Sequence, residues 1–148
     1  MIKTVKKSLF DAPKGSVLVH ACNAKGVWGA GIAKQFAERF PQTHRKYKDE
    51  CLNIWITGRA FIYPENGYYI CNLITSEGFG ANVDKPEVIL KNTGSALEDL
   101  KLTLQVTLNK PVICSNKFNS GLFNVPWKDT EALIHEILPE ADWTVYDI

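Results

Sequence analysis

Residues 17–40 read VLVHACNAKGVWGAGIAKQFAERF, and this stretch decides the fold class. From Ser16 to Ala21 the chain is almost continuously apolar, the pattern of a strand buried on both faces at the centre of a sheet. It then breaks at Asn23 into a loop with glycines at 26, 29 and 31. From Ala30 to Phe40 the apolar residues Ile32, Ala33, Phe36, Ala37 and Phe40 recur at helical spacing until Pro41 stops the helix. Strand, glycine-rich loop and helix is the arrangement with which an α/β protein holds a phosphate-bearing ligand. The loop is neither a Walker A sequence, because no GK[ST] follows, nor a clean GxGxxG. On its own it serves equally well as a tight turn.

The flanking segments extend the alternation of strand and helix. Ile2–Phe10 reads as a first strand, with a turn at Asp11, Pro13, Lys14 and Gly15. Gln42–Cys51 reads as a helical segment packed loosely outside. Ile54–Thr57, Ala60–Pro64 and Gly67–Ser76 read as strands, the last two joined by a turn over Glu65, Asn66 and Gly67. Pro86 suits the first turn of a long helix. Its buried face is marked by Ile89, Leu90, Thr93, Leu97, Leu100, Leu104 and Leu108, and its wet face by Lys91, Glu98, Asp99 and Lys101. Pro111–Ser115 is a short buried strand, 116–126 a loop, Lys128–Leu138 a helix and Trp143–Tyr146 a closing strand. The expected fold is therefore a single α/β domain over residues 1–148, with a central mixed, largely parallel sheet in a three-layer α/β/α stack. In such sheets ligands lie at the carboxyl ends of the strands, where both the 23–31 and 116–126 loops emerge.

Composition narrows the function classes. The chain has 148 residues, 45% of them hydrophobic, enough to bury a core in one domain. Seventeen Lys and Arg against sixteen Asp and Glu give a net charge of +1, so no global field steers the protein to nucleic acid or an anionic membrane. No apolar run has signal-peptide or membrane-spanning character, and a cytoplasmic protein is expected. Cys22, Cys51, Cys71 and Cys114 form no CxxC pair, which indicates neither a zinc site nor a disulfide framework. Three are expected as buried free thiols, with Cys51 in a more polar setting. No metal or cofactor is expected.

The second loop, SNKFNSGLFNVPW at 115–127, sets Asn119, Ser120 and Gly121 directly before a helix start, where unpaired N–H groups attract anions. Two such loops at one sheet edge favour a phosphate-containing ligand over two coincidental turns. Asn23 with WGAGIA at 28–33, the Ile-Thr-Ser strand end at 74–76, NSGLFNVPW at 119–127 and the terminal WTVYDI together resemble a macro domain, the ADP-ribose-binding fold. The resemblance runs in order along essentially the whole chain. It is most like the small single-domain branch typified by ADP-ribose 1''-phosphate phosphatase, in which a His precedes the loop-one Asn and an N-S-G-[IL]-F-x-V-P-W loop recurs.

The resemblance implies ADP-ribose or ADP-ribose 1''-phosphate as the small-molecule ligand, with an ADP-ribosylated protein as a further candidate partner and no direct contact with nucleic acid. It places Asn23 at the distal ribose, and Gly29, Ala30, Gly31 and Ile32 along that ribose and the phosphates. Asn119, Ser120, Gly121, Leu122 and Phe123 would wrap the diphosphate from the other side, with Thr75 at the end of the central strand also lining the site. Many macro domains present an Asp to adenine at the end of the first strand. Here Ser8 stands in its place, with backbone groups of Ser8 and Leu9 as substitutes.

Two side chains are candidate catalysts. His20 lies close before Asn23 and is either a general acid or base at the terminal phosphate or a core histidine with its ring nitrogens satisfied. Asp84, in the glycine-containing loop after the central strand, is either a general base that aligns water or a cap for the helix at Pro86. Glu77 shares that ambiguity. Trp28, Phe79 and Phe123 are either stacking surfaces for the ligand or plugs that close their loops. His44, His135, Lys25 and Lys117 read as solvated surface residues. The Lys and Asp on which a related ADP-ribosyl hydrolase branch relies are replaced by Ser76–Glu77 and Phe123, and the longer GGGGVDGAI-type loop of the deacetylase branch is missing. The expected activity is hydrolysis of the 1''-phosphate. The rivals are a non-catalytic reader of ADP-ribose and an ADP-ribosyl hydrolase.

Overall fold

A computed structural model describes residues 2–107 and 110–148. Six strands form one sheet in the order β1-β6-β5-β2-β4-β3. They are β1 (Ile2–Val5), β2 (Val17–Asn23), β3 (Ala60–Glu65), β4 (Tyr68–Ser76), β5 (Ile113–Ser115) and β6 (Trp143–Tyr146). All neighbours run parallel except β3, which pairs antiparallel with β4. The β3–β4 connection is a two-residue turn in which Asn66 and Gly67 take φ values of 52° and 82°. That is the left-handed geometry a tight hairpin needs, and Asn and Gly are the residues that supply it most readily.

Helices α1 (Gly31–Arg39) and α2 (Pro41–Glu50) cover one face of the sheet, and α3 (Pro86–Thr107) and α4 (Trp127–Ile137) cover the other. The alternation of side chains along β2 and β4 sorts the core. Leu18, Cys22, Ile70 and Ile74 join the α1/α2 cluster around Phe36 and Tyr47. Val17, Val19, Cys71 and Leu73 join the α3/α4 cluster around Leu97, Leu100 and Ile134. Two buried faces explain why these strands read as continuous apolar runs. Cys22, Cys71 and Cys114 are buried free thiols and Cys51 is half-buried. No helix among the described residues is long and apolar enough to cross a membrane.

Several expected boundaries shift. The first strand ends at Val5 because the Ser8 hydroxyl accepts the Phe10 N–H and starts a 3-10 turn over Leu9–Asp11. Ile54–Thr57 is not a strand: the segment runs beside Leu52, and Leu52, Ile54 and Trp55 are 85%, 76% and 86% exposed; it is anchored by buried Ile56, the Thr57 hydroxyl on the Glu77 carboxylate and the Gly58 N–H on the Ile74 carbonyl. The α2 helix is not loosely packed, since Thr43 and Tyr47 on one side of it are fully buried. Along α3 the expected face is buried at Ile89, Thr93, Leu97 and Leu100. Leu108, assigned to that face from the sequence, lies outside the described residues.

Candidate functional site

Because β2, β4 and β5 are parallel, the segments that leave them converge at one edge. Loop one (24–30) follows β2, a third loop (77–85) follows β4, and loop two (116–126) follows β5. Between loops one and two lies an open cleft of about 190 Å3. Its floor is Ala21 and Cys22; one wall is Val27, Trp28 and the Ala30–Ala33 start of α1, and the other runs along Asn116–Asn119 and Gly121–Phe123. A larger cavity, of about 820 Å3, lies at the opposite, amino edge beside Leu104, Ile113 and Ile137, away from both loops. The chemistry favours the smaller one. Ala30 precedes α1 without any side-chain cap, so the first-turn N–H groups of Gly31, Ile32 and Ala33 open toward the cleft. Uncapped amides at a positive helix terminus suit an anion.

Loop one is shaped by Asn23. Its side-chain oxygen accepts the N–H groups of Lys25 (3.0 Å) and Val27 (3.3 Å), and its amide donates to the Val27 carbonyl (2.8 Å). The Tyr47 hydroxyl donates to the Asn23 carbonyl at 2.6 Å and lies 3.1 Å from its side-chain oxygen. In this structure the Asn23 carboxamide, 6% exposed, is turned inward to build the loop. Burial raises the Tyr47 pKa and keeps this phenol protonated as a donor.

Trp28 belongs to the same construction. Its indole lies nearly parallel to the rings of Tyr47 and His44, at 4.7 and 4.9 Å, and edge-on to His20 at 4.7 Å. At 4% exposure it closes the loop as a plug and presents only a margin to the cleft. His44 is correspondingly not a free surface histidine. Burial lowers its pKa, with a smaller contribution from Lys48.

His20 is fully buried, stacked on Phe36 at 3.9 Å, with Nε2 2.7 Å from the Asn72 side-chain oxygen. Desolvation lowers its pKa to about 4, only partly offset by that hydrogen bond, so the ring is neutral near pH 7. Of its two sequence readings, this is the environment of the core histidine. The ring lies behind Cys22 and Trp28 rather than in the cleft lining.

Asp84 closes the third loop. Its carboxylate accepts the Glu77 N–H at 2.8 Å, and its own N–H donates to the Ser76 hydroxyl, which donates in turn to the Gly78 carbonyl. Gly78 has no alternative here, because a Cβ would collide with the Asn82 carbonyl oxygen. Asp84 is thus a loop-closing residue at the carboxyl end of β4 and makes no capping bond to α3 among the described contacts. It is half-buried, while Glu77 is exposed, bonded by Thr57 and Lys25, and held below the usual carboxylate range by those two partners. Lys25 and Lys117 are paired surface residues, with Glu77 and Asp147 respectively.

In loop two, Asn119 is 4% exposed at φ +67°, with its side chain bonded to Thr75, Thr93 and Thr130. Both Thr75 and the Asn119 side chain are engaged as anchors within the protein; Asn119 lines the cleft and Thr75 does not. The Ser120 hydroxyl bonds to the Lys117 carbonyl. Gly121, Leu122 and Phe123 line the cleft, as do Ala30, Gly31 and Ile32, whereas Gly29, Ser120, Ser8 and Leu9 stand outside the lining. Phe79 is 43% exposed on the third loop. Sequence reasoning missed Tyr47, Asn72 and Thr130 altogether and took Thr93 as core. A polar residue on an otherwise apolar helical face was the available signal for Thr93.

Residues 19–134 match the family model described as the Macro domain. The chain belongs to the macro-domain family. It is 36% identical, over 99% of its length and 98% of the relative's, to the ADP-ribose 1''-phosphate phosphatase of Lodderomyces elongisporus. Among solved structures, this macro domain superposes on the macrodomain of Thermus aquaticus DarG with a TM-score of 0.83 at 25% identity, covering 100% of this chain and 99% of that one. It also matches Thermosipho africanus DarTG in complex with ADP-ribose, with a TM-score of 0.82 at 17% identity over 98% of this chain and 41% of that one. Among the described residues no group of three or more His, Cys, Asp and Glu side chains is arranged to hold a metal ion.

Proposed function

We propose that this macro domain binds ADP-ribose between loops one and two and hydrolyses ADP-ribose 1''-phosphate to ADP-ribose and inorganic phosphate. The observation that carries the reading is the convergence of both loops, and of the uncapped start of α1, on one cleft in a chain that aligns end to end with a phosphatase of that name. The backbone N–H groups of Gly31–Ala33 and Gly121–Phe123 supply hydrogen bonds to the diphosphate. In the hydrolytic step a water oxygen bonds to phosphorus, the bond from phosphorus to the ribose 1''-oxygen breaks, and a proton passes to that oxygen. Asp84 is the group assigned to orient the water, through the carboxylate oxygen not engaged by the Glu77 N–H. His20 supports the cleft wall from behind through Asn72, Phe36 and Trp28.

The burial of His20 and the inward turn of Asn23 favour a second reading, a non-catalytic reader of free or protein-linked ADP-ribose. Calorimetry with ADP-ribose and phosphate-release assays with ADP-ribose 1''-phosphate on one preparation separate the two. Binding with turnover that falls in Asp84→Asn supports the phosphatase; binding without turnover selects the reader. No binding of either compound overturns the shared premise. Release of ADP-ribose from modified protein in a parallel assay would instead select an ADP-ribosyl hydrolase.

A further inference from the structure

We propose that Thr93 of α3 and Thr130 of α4 are positioning residues that, with Thr75, clamp the Asn119 carboxamide and hold the cleft-facing backbone of loop two in its binding shape before ligand arrives. All three threonines are fully buried. Thr75 donates to the Asn119 side-chain oxygen at 2.9 Å, and the Asn119 amide donates to the Thr93 hydroxyl at 2.9 Å and to that of Thr130 at 3.5 Å. The carboxamide thus uses its oxygen and both N–H groups on three different elements of the fold. The Thr93 hydroxyl, having accepted from Asn119, passes its own proton to the Ile89 carbonyl at 2.7 Å.

Neither helix needs these hydroxyls for itself. Thr93 sits on the apolar face of α3 beside Ile89, Ala96 and Leu97, where an aliphatic side chain of the same shape would pack as well. Threonine is also a poorer helix former than the straight-chain residues. What the hydroxyls accomplish lies in loop two. Asn119 is held at φ +67°, and its carbonyl accepts the Val125 N–H at 2.8 Å, which closes the loop around the exposed Ser120–Leu122 tip. The Asn124 N–H on the Gly121 carbonyl makes the inner turn. Between buried Phe118 and buried Val125, Asn119 is the residue whose side chain ties this segment into the core. Ordering the segment during folding removes an entropic cost from the binding step.

The proposal rests on the reading that loop two binds ADP-ribose, so its test includes a ligand-free readout. In Thr93→Val, hydrogen exchange at the Asn124 and Val125 amides should quicken about tenfold, the equivalent of one net hydrogen bond, while β2 and β4 amides keep their protection. ADP-ribose affinity should fall by a similar factor, and Thr93→Ser should restore both. Thr130→Val, which removes the longer bond, should show the same pattern at smaller amplitude and substitutes for Thr93→Val if that variant fails to fold. Wild-type exchange in folded Thr93→Val, or in Thr130→Val where only that variant folds, overturns the clamp. Faster exchange in the variants combined with no ADP-ribose binding by the wild type upholds the clamp and overturns the ligand.

Discussion

Loops one and two face each other across the same cleft and are held by opposite means. Loop one is tied to the core mainly by rings: Trp28 sits among His20, Phe36, His44 and Tyr47, while the Asn23 carboxamide shapes the loop locally and the Tyr47 hydroxyl bonds to Asn23 from α2. Loop two is pinned by a saturated polar knot of one asparagine and three threonines. Ring burial is a large, non-directional free energy that fixes where a segment lies. A knot of hydrogen bonds contributes little net stability but fixes how a backbone is oriented. One wall of the cleft is therefore built for robustness and the other for geometry.

The contrast is broken most severely by Trp28→Ala, which removes the plug of loop one. It should destabilise the fold by about 3–5 kcal/mol, visible as a lower midpoint in urea with an unchanged slope. A loss below about 1 kcal/mol would mean that the rings do not carry loop one. Acid probes the same cluster through His20, which is neutral when folded. Its pKa is about 6.5 in the unfolded chain and about 4 in the fold, so its contribution is complete above pH 6.5 and declines as pH falls from there to about 4, because the unfolded state takes up the proton first. Over that window the loss should total about 3 kcal/mol. Unfolding curves of wild type and His20→Asn at pH 7 and pH 4.5 isolate it; parallel losses in the two would refute the assignment.

On the other wall, Asn119→Ala should cost about 2 kcal/mol, from unpaired threonine hydroxyls and a left-handed backbone without asparagine's tolerance for it. Asn119→Gly should cost about 1 kcal/mol less than Ala, since it keeps the backbone freedom and loses only the bonds. Equal losses would locate the whole effect in the hydrogen bonds. The smallest change is expected for Tyr47→Phe, about 1 kcal/mol, with its clearest signature in faster amide exchange at Lys25 and Val27, whose N–H groups rest on the Asn23 oxygen.

The same contrast explains what could be read from the chain. The sheet, its layers and the two loops were legible because periodicity of apolar residues reports burial and glycine reports unusual backbone. The aim of polar side chains was not. Asn23 and Asn119 both read as ligand contacts, and both turn inward, because a carboxamide in a loop satisfies backbone groups as readily as a ligand and leaves the same letter in the sequence. His20 shares β2's even-numbered face with Leu18 and Cys22, which sends its ring toward α1 and α2. Ile54–Thr57 looked like a strand from composition alone, yet Trp55 takes φ +66°, in the left-handed region and outside the extended range of a regular strand.

Trp28 has one more consequence. An indole at the margin of the cleft, parallel to the half-buried His44 imidazole at 4.9 Å, makes the protein its own optical gauge. A protonated imidazole quenches indole emission by accepting an electron from the excited ring, whereas a neutral one quenches far less. Because burial lowers the His44 pKa, the dimming should set in at a pH below that of an ordinary histidine, and the part of it that His44→Gln abolishes reports loop one above the emission of Trp55, Trp127 and Trp143.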